Sequence, residues 1–309
     1  MIDGALLEQL TTKVVGRRRE LELVLAALAA GRHVLLEGPP GTGKSTLLRA
    51  VAEGLGIGLE FVEGNAELTP ARLVGHFDPA RVLSDGYSPD VFEDGPLVVA
   101  MREGALLYVE EINRIPEETL NVLITVMSEG ELHVPRLGRV ASAPGFRLVA
   151  AMNPFDAIGT ARISGAVYDR VCRLSVTYQS AADEVAIVGQ ALGEAIPDPE
   201  WVAKMVELVR RTRAHPDLRV GSSVRGAIDG AAVVLSLSQL RGMAPTHPSV
   251  GLDAALMALS GRVRLREGVA RSTEEIITEL WQEVFGLVGE GEDGPGKAGA
   301  PIGAINSHS

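Results

Sequence analysis

The chain has 309 residues, 46% hydrophobic but only 4% aromatic, so it can bury a core made mostly of Ala, Val, Leu and Ile, as helices packed on a parallel sheet require. Its formal charge of −11 gives no support for binding a phosphate backbone, and its single cysteine, Cys172, excludes an internal disulfide or a thiolate metal cluster. The N-terminus lacks the basic start and apolar run of a signal peptide, and no apolar stretch approaches the roughly 18 residues of a membrane span, so a soluble cytoplasmic protein is expected.

In chain order, residues 20–30 read as a helix ended by Gly31. The apolar run His33–Glu37 reads as a short strand that leads into Gly-Pro-Pro-Gly-Thr-Gly-Lys-Ser at 38–45, and a helix follows from Ser45 to Glu53. Strand, glycine-rich loop and helix in that order are the context of a phosphate-binding loop. Its members are Gly38, Pro39, Pro40, Gly41, Thr42, Gly43, Lys44 and Ser45, with Thr46 next in the helix. The glycines let backbone N–H groups turn inward on the phosphates, Lys44 reaches the terminal phosphates, and the Ser45 hydroxyl can ligate Mg²⁺. ATP with Mg²⁺ is therefore the expected ligand.

A second strand is expected at Leu59–Val62, then an irregular Gly-, Pro- and Asp-rich stretch at 64–96. Such long irregular stretches tend to be functional. A buried strand, Ala105–Val109, ends in Glu110 and Glu111. Ligands sit at the carboxyl ends of strands in open α/β sheets, so Glu110 is the candidate for holding Mg²⁺ and Glu111 for polarising the attacking water. A helix is expected from Pro116 to about Ser128, a projecting hairpin over 130–145, and a strand Phe146–Met152 that ends at Asn153-Pro154. Asn153 can orient the water or touch the terminal phosphate, although Asn-Pro also simply opens turns.

The last strand is Val171–Val176, in which alternation makes Cys172 a half-buried residue. Arg170, just before it, is a candidate to stabilise transition-state charge in a neighbouring subunit; Arg162 and Arg173 compete for that role. Beyond about Gln179 the strand signal ends, and helices are expected at 183–193, 199–214, 222–240, 252–260 and 273–287. Asp198 with Pro199 reads as a helix start, and Ser272 with Glu275 as a capping box. Arg225, near the start of the third of these helices, can swing in with them to contact the nucleotide. The expected fold is therefore α/β: a P-loop parallel sheet with helices on both faces over 1–179, a smaller all-helical lid over 180–288, and a disordered tail over 289–309.

The order of these elements resembles that of AAA+ ATPases. The segment LYVEEINRIP (107–116) resembles the DEINR-x-P signature of the MoxR branch, and 146–154 and 221–227 resemble the same branch. The 64–104 stretch is similar to that branch's insertion, and 130–145 to its hairpin. The magnesium-chelatase motor subunit shares both features. The chain departs from the pattern at Glu110, where the family usually has Asp, which puts the Mg²⁺ geometry in question. The resemblance implies an ATPase ring, commonly hexameric, that acts as a chaperone or maturation factor with a von Willebrand A domain protein. A metal-chelatase-like motor is the first alternative, a nucleotide-gated scaffold with weak hydrolysis the second, and a DNA-handling motor is disfavoured by the acidic charge.

Overall fold

The computed structural model describes residues 3–154, 164–193 and 198–286. The helices are α1 Gly4–Lys13, α2 Arg18–Ala29, α3 Lys44–Leu55, α4 Pro70–Val74, α5 Pro79–Asp85, α6 Pro96–Glu103, α7 Glu117–Glu129, α8 Gly165–Tyr168, α9 Ala181–Leu192, α10 Pro199–Ala214, α11 Val224–Arg241, α12 Pro248–Leu259 and α13 Thr273–Phe285. The strands are β1 His33–Glu37, β2 Leu59–Glu63, β3 Gly75–Phe77, β4 Phe92–Asp94, β5 Leu106–Glu110, β6 Glu131–Val134, β7 Gly138–Ala141, β8 Arg147–Met152, β9 Val171–Ser175, β10 Leu218–Val220 and β11 Arg264–Leu265. None of the described helices is long and apolar enough to cross a membrane.

The chain divides into two compact units, Met1–Ile196 with Ser222–Ile228, and Pro197–Gly221 with Asp229–Ser309. In the first, a five-stranded sheet runs in the order β2-β5-β8-β1-β9, with every pair parallel. Successive side chains of a strand point to opposite faces. Leu35, Leu107, Val109, Leu148 and Ala150 accordingly join one core with α6 and α7. Val34, Leu36, Leu106, Tyr108, Val149 and Ala151 join the other, with α1, α2 and α3. Both faces are covered, which explains why the strands read as unbroken apolar runs.

The irregular 64–96 stretch folds into short pieces, among them the antiparallel β3–β4 ribbon, and the expected hairpin is β6–β7. α1 was not expected; Asp3 caps it by accepting from Leu6 N, and Leu6 and Leu10 bury one face. The second unit is helical, with Asp198 and the Ser272–Glu275 capping box starting α10 and α13 as the sequence indicates. It is not all-helical, however: β10 and β11 pair as a small antiparallel ribbon. Its strands are only two and three residues long, too short for any periodicity to show. Cys172 is also corrected, since it is exposed. β9 is an edge strand, and alternation alone does not distinguish an edge from a sheet interior. Arg162 and the tail lie outside the described residues.

The sheet carries one pH-sensitive tie. His33 Nδ1 accepts the Leu148 N–H at 2.9 Å, joining the starts of β1 and β8. Burial, and then the charge of Arg147, push this imidazole down from 6.5 to about 4. The folded state thus holds it neutral while the unfolded chain protonates it below 6.5. Its stabilisation is whole above pH 6.5 and is lost as pH falls through 6.5 toward 4, by up to about 3 kcal/mol. Urea melts should show this loss in the natural protein. In His33→Asn, which keeps an acceptor but does not titrate, the loss should be smaller; an equal loss in both would assign it to other groups.

Candidate functional site

The site forms where β1, β5 and β8 end. The N–H of Gly38 donates to Met152 O at 3.1 Å, so the loop leaves β1 against the end of β8, next to Asn153. Gly41 and Gly43 take positive φ angles of 72° and 81°, and Gly43 is the residue that caps α3. The left-handed turn aims the free N–H groups at the start of α3 into the loop, where the helix dipole also favours an anion. A side chain at Gly41 would collide with Ser223, its Cβ lying 2.2 Å from the Ser223 Oγ.

Lys44 is 8% exposed, and its Nζ donates to Gly38 O and Pro39 O, each at 2.9 Å. The ammonium therefore lies across the loop. Burial pulls it down to about 8, against the opposing charge of Glu110 and with the repulsion of Arg17 and Arg225 adding to the drop. Thr42 Oγ1 donates to Pro39 O at 3.0 Å and braces the turn. Ser45 Oγ lies 3.2 Å from Glu110 Oε1 and 3.1 Å from the Tyr108 hydroxyl. Glu110, with its extra methylene, thus reaches the serine directly. Hydroxyl and carboxylate are hard oxygen donors of the kind Mg²⁺ takes alongside phosphates and water, so this pair fits the metal.

Glu111 adopts φ 52°, ψ 43°, a left-handed conformation rare for a residue with a side chain. Its surroundings over-determine it. Gly64, just past β2, donates to Glu110 O at 2.7 Å, and a Cβ there would come within 2.4 Å of Glu111 O. Arg114 NH1 pairs with Glu111 Oε2 at 2.9 Å. A strained backbone held this firmly is a frequent property of reacting groups.

Arg225 is in the first turn of α11, and the stretch Ser222–Ile228 that holds it belongs to the first unit, where its charge acts on Lys44. A cleft next to the loop is lined by Val14, Val15, Ile187, Val224 and Ile228, with Lys13, Gln179 and Gln190 as polar groups, and reaches Thr46; apolar walls with a few polar groups beside a phosphate cradle are what a nucleotide base takes. Arg170 is elsewhere. It precedes β9 at the amino edge of the sheet, where its Nε donates to Ser128 Oγ and its NH1 to Ala166 O at 2.7 Å. Arg173 pairs with the buried Glu37, which also accepts from Tyr168.

Three contributors escaped the sequence reading. Arg17, 2% exposed, binds Glu20 and donates to Thr42 O (2.8 Å) and Thr177 O (2.5 Å), fastening the loop to the chain beyond β9. It sits in a run of three arginines, and nothing in the run singles it out. The walls of the base-sized cleft come from four separate segments. Tyr108 reads as an ordinary core residue of a buried strand.

A family profile described as the AAA domain, dynein-related subfamily, matches residues 33–171. An uncharacterised Staphylococcus aureus protein is 30% identical over 211 residues, 68% of this chain and 76% of that protein. The gas vesicle ATPase GvpN of Haloferax mediterranei is 29% identical over 265 residues, 81% of this chain and 74% of GvpN. Among solved structures, a Cytophaga hutchinsonii protein provisionally assigned as an ATPase shares the fold, with a TM-score of 0.51 at 19% identity over 91% of this chain and 93% of that one.

Proposed function

The chain belongs to the AAA ATPase family, in its dynein-related subfamily, and from that premise we propose that it hydrolyses ATP to ADP and phosphate as a ring-forming motor of MoxR type, remodelling or maturing a protein partner. The observation that carries the hydrolytic part is the convergence of Lys44, Ser45 and Glu110, with Ser45 Oγ 3.2 Å from Glu110 Oε1. That contact favours a working metal site over a weakly hydrolysing scaffold. The MoxR part is supported by the LYVEEINRIP segment, the β3–β4 insertion and the β6–β7 hairpin. A von Willebrand A domain partner and a hexameric ring are what that branch implies.

In this mechanism the loop N–H groups and Lys44 hold the phosphates, while Ser45 and Glu110 hold Mg²⁺. The metal supplies charge that offsets the negative charge of the phosphate oxygens. Glu111 accepts a proton from a water as the water oxygen bonds the terminal phosphorus and the bond to ADP breaks. Asn153, one residue past β8, orients that water, and Arg225 and a neighbour's Arg170 meet the developing charge.

The loop is tested by Lys44→Ala. It removes a charged donor from the terminal phosphates, a loss of about 10- to 100-fold in ATP affinity. Calorimetry with a slowly hydrolysed ATP analogue reads this, with a thermal melt to show the fold is kept. Unchanged affinity in a folded variant would remove the basis for the reading.

A further inference from the structure

We infer that Tyr108 is a positioning residue of the metal site, its hydroxyl setting the Ser45 hydroxyl and Glu110 in place for Mg²⁺; this rests on the proposed ATPase reading. Tyr108 is wholly buried, in a core whose other sheet residues are aliphatic. Burying a hydroxyl there costs free energy unless it finds a partner, and Phe would fill nearly the same space without that cost. The partner it finds is Ser45 Oγ, at 3.1 Å.

Three features converge on that contact. Tyr108 and Glu110 are two residues apart on β5, so they share the face that looks toward α3, whose second residue is Ser45. The ring is held from the side by Phe61, its register partner on β2, with centroids 5.5 Å apart at 50°. Ser45 Oγ donates to Glu110 Oε1 at 3.2 Å, and the roles in the cluster follow from that bond. An ionised carboxylate only accepts, so Ser45 donates its single proton to Glu110, and Tyr108 donates to Ser45 Oγ. One lone pair of the serine is filled, and the other is left for a cation.

The arrangement also suits a glutamate at 110. Glu has one more rotatable bond than Asp, so more conformational freedom is lost on fixing it. A serine whose own rotor is locked by Tyr108 gives that longer carboxylate a fixed anchor.

The experiment measures, by calorimetry, the gain in affinity for a slowly hydrolysed ATP analogue between EDTA and saturating Mg²⁺. Tyr108→Phe should match the natural protein in EDTA but show a gain about three- to tenfold smaller, as for one lost hydrogen bond. In a Ser45→Ala background it should change nothing further, because the two act as one unit. A purely structural tyrosine would instead lower the melting temperature and weaken binding equally with and without metal, and that result overturns the inference. Phe61→Leu, at a residue 45% exposed, is the second variant should Tyr108→Phe not fold, and should shift the Mg²⁺ gain in the same direction by less. A natural protein that binds no nucleotide at all defeats the ATPase reading itself. One that binds nucleotide with the same Mg²⁺ gain as Tyr108→Phe overturns only the role of Tyr108.

Discussion

Subunits carrying Arg170→Ala and subunits carrying Glu111→Gln should each be nearly inactive alone and should regain turnover when mixed. The geometry of the sheet motivates this. Arg170 precedes Val171, which pairs with His33 at the start of β1, whereas the phosphate loop follows Glu37 at its end. Four residue steps of strand separate those levels, about 13 Å, before the loop itself is counted. Arg170 is also fastened to its own chain at Ser128 and Ala166. It is thus fastened to its own chain at the amino edge of the sheet, away from the phosphate loop at the carboxyl ends of the strands. Arg173 is a weaker candidate, because it compensates the buried carboxylate of Glu37.

An arginine supplied from a neighbour is worth on the order of 10³-fold or more in related phosphoryl transfer, so Arg170→Ala should lose about that much turnover and keep ATP binding. In a mixed ring, an intact site forms wherever a subunit with Glu111 faces a neighbour with Arg170. Phosphate release measured across mixing ratios should rise and then fall, with mixed assembly confirmed by a tag on one variant. Mixed rings that remain inactive would place Arg170 in a structural role.

Glu111→Gln by itself should reduce turnover about 10²- to 10⁴-fold, the usual contribution of a general base, while nucleotide affinity stays within about twofold. Gln keeps the length and planarity of Glu but cannot take the proton. The strained turn at φ 52° depends on backbone contacts with Gly64, so it should survive the change. The contact with Arg114 loses its charge assistance, which loosens an exposed pair worth little to stability. Calorimetry and single-turnover phosphate release separate the two effects. Near-normal turnover would shift the base to Glu110.

Much of this site is legible because it is local. The eight residues 38–45 are contiguous, so the sequence that makes the loop is the sequence that binds. Glu110 and Glu111 are visible because an apolar run ends in them, and a strand end is where ligands meet an α/β sheet. Arg17 and Tyr108 are different. Arg17 becomes distinct from Arg18 and Arg19 only when Thr42 and Thr177 come within reach of it. Tyr108 stands out only because Ser45, the second residue of α3, reaches it across 63 positions of chain.

Sequence by itself determined the phosphate loop, the acid pair and the alternation of strands with helices, because each is written in residues that are neighbours in the chain. The order β2-β5-β8-β1-β9 was decided only in three dimensions, and with it the edge position that exposes Cys172, the distance of Arg170 from its own loop and the meeting of Tyr108 with Ser45 and Glu110. The physical reason is that strand order is chosen by the packing of two whole faces at once, each burying side chains from many segments, and no short window of sequence contains that choice.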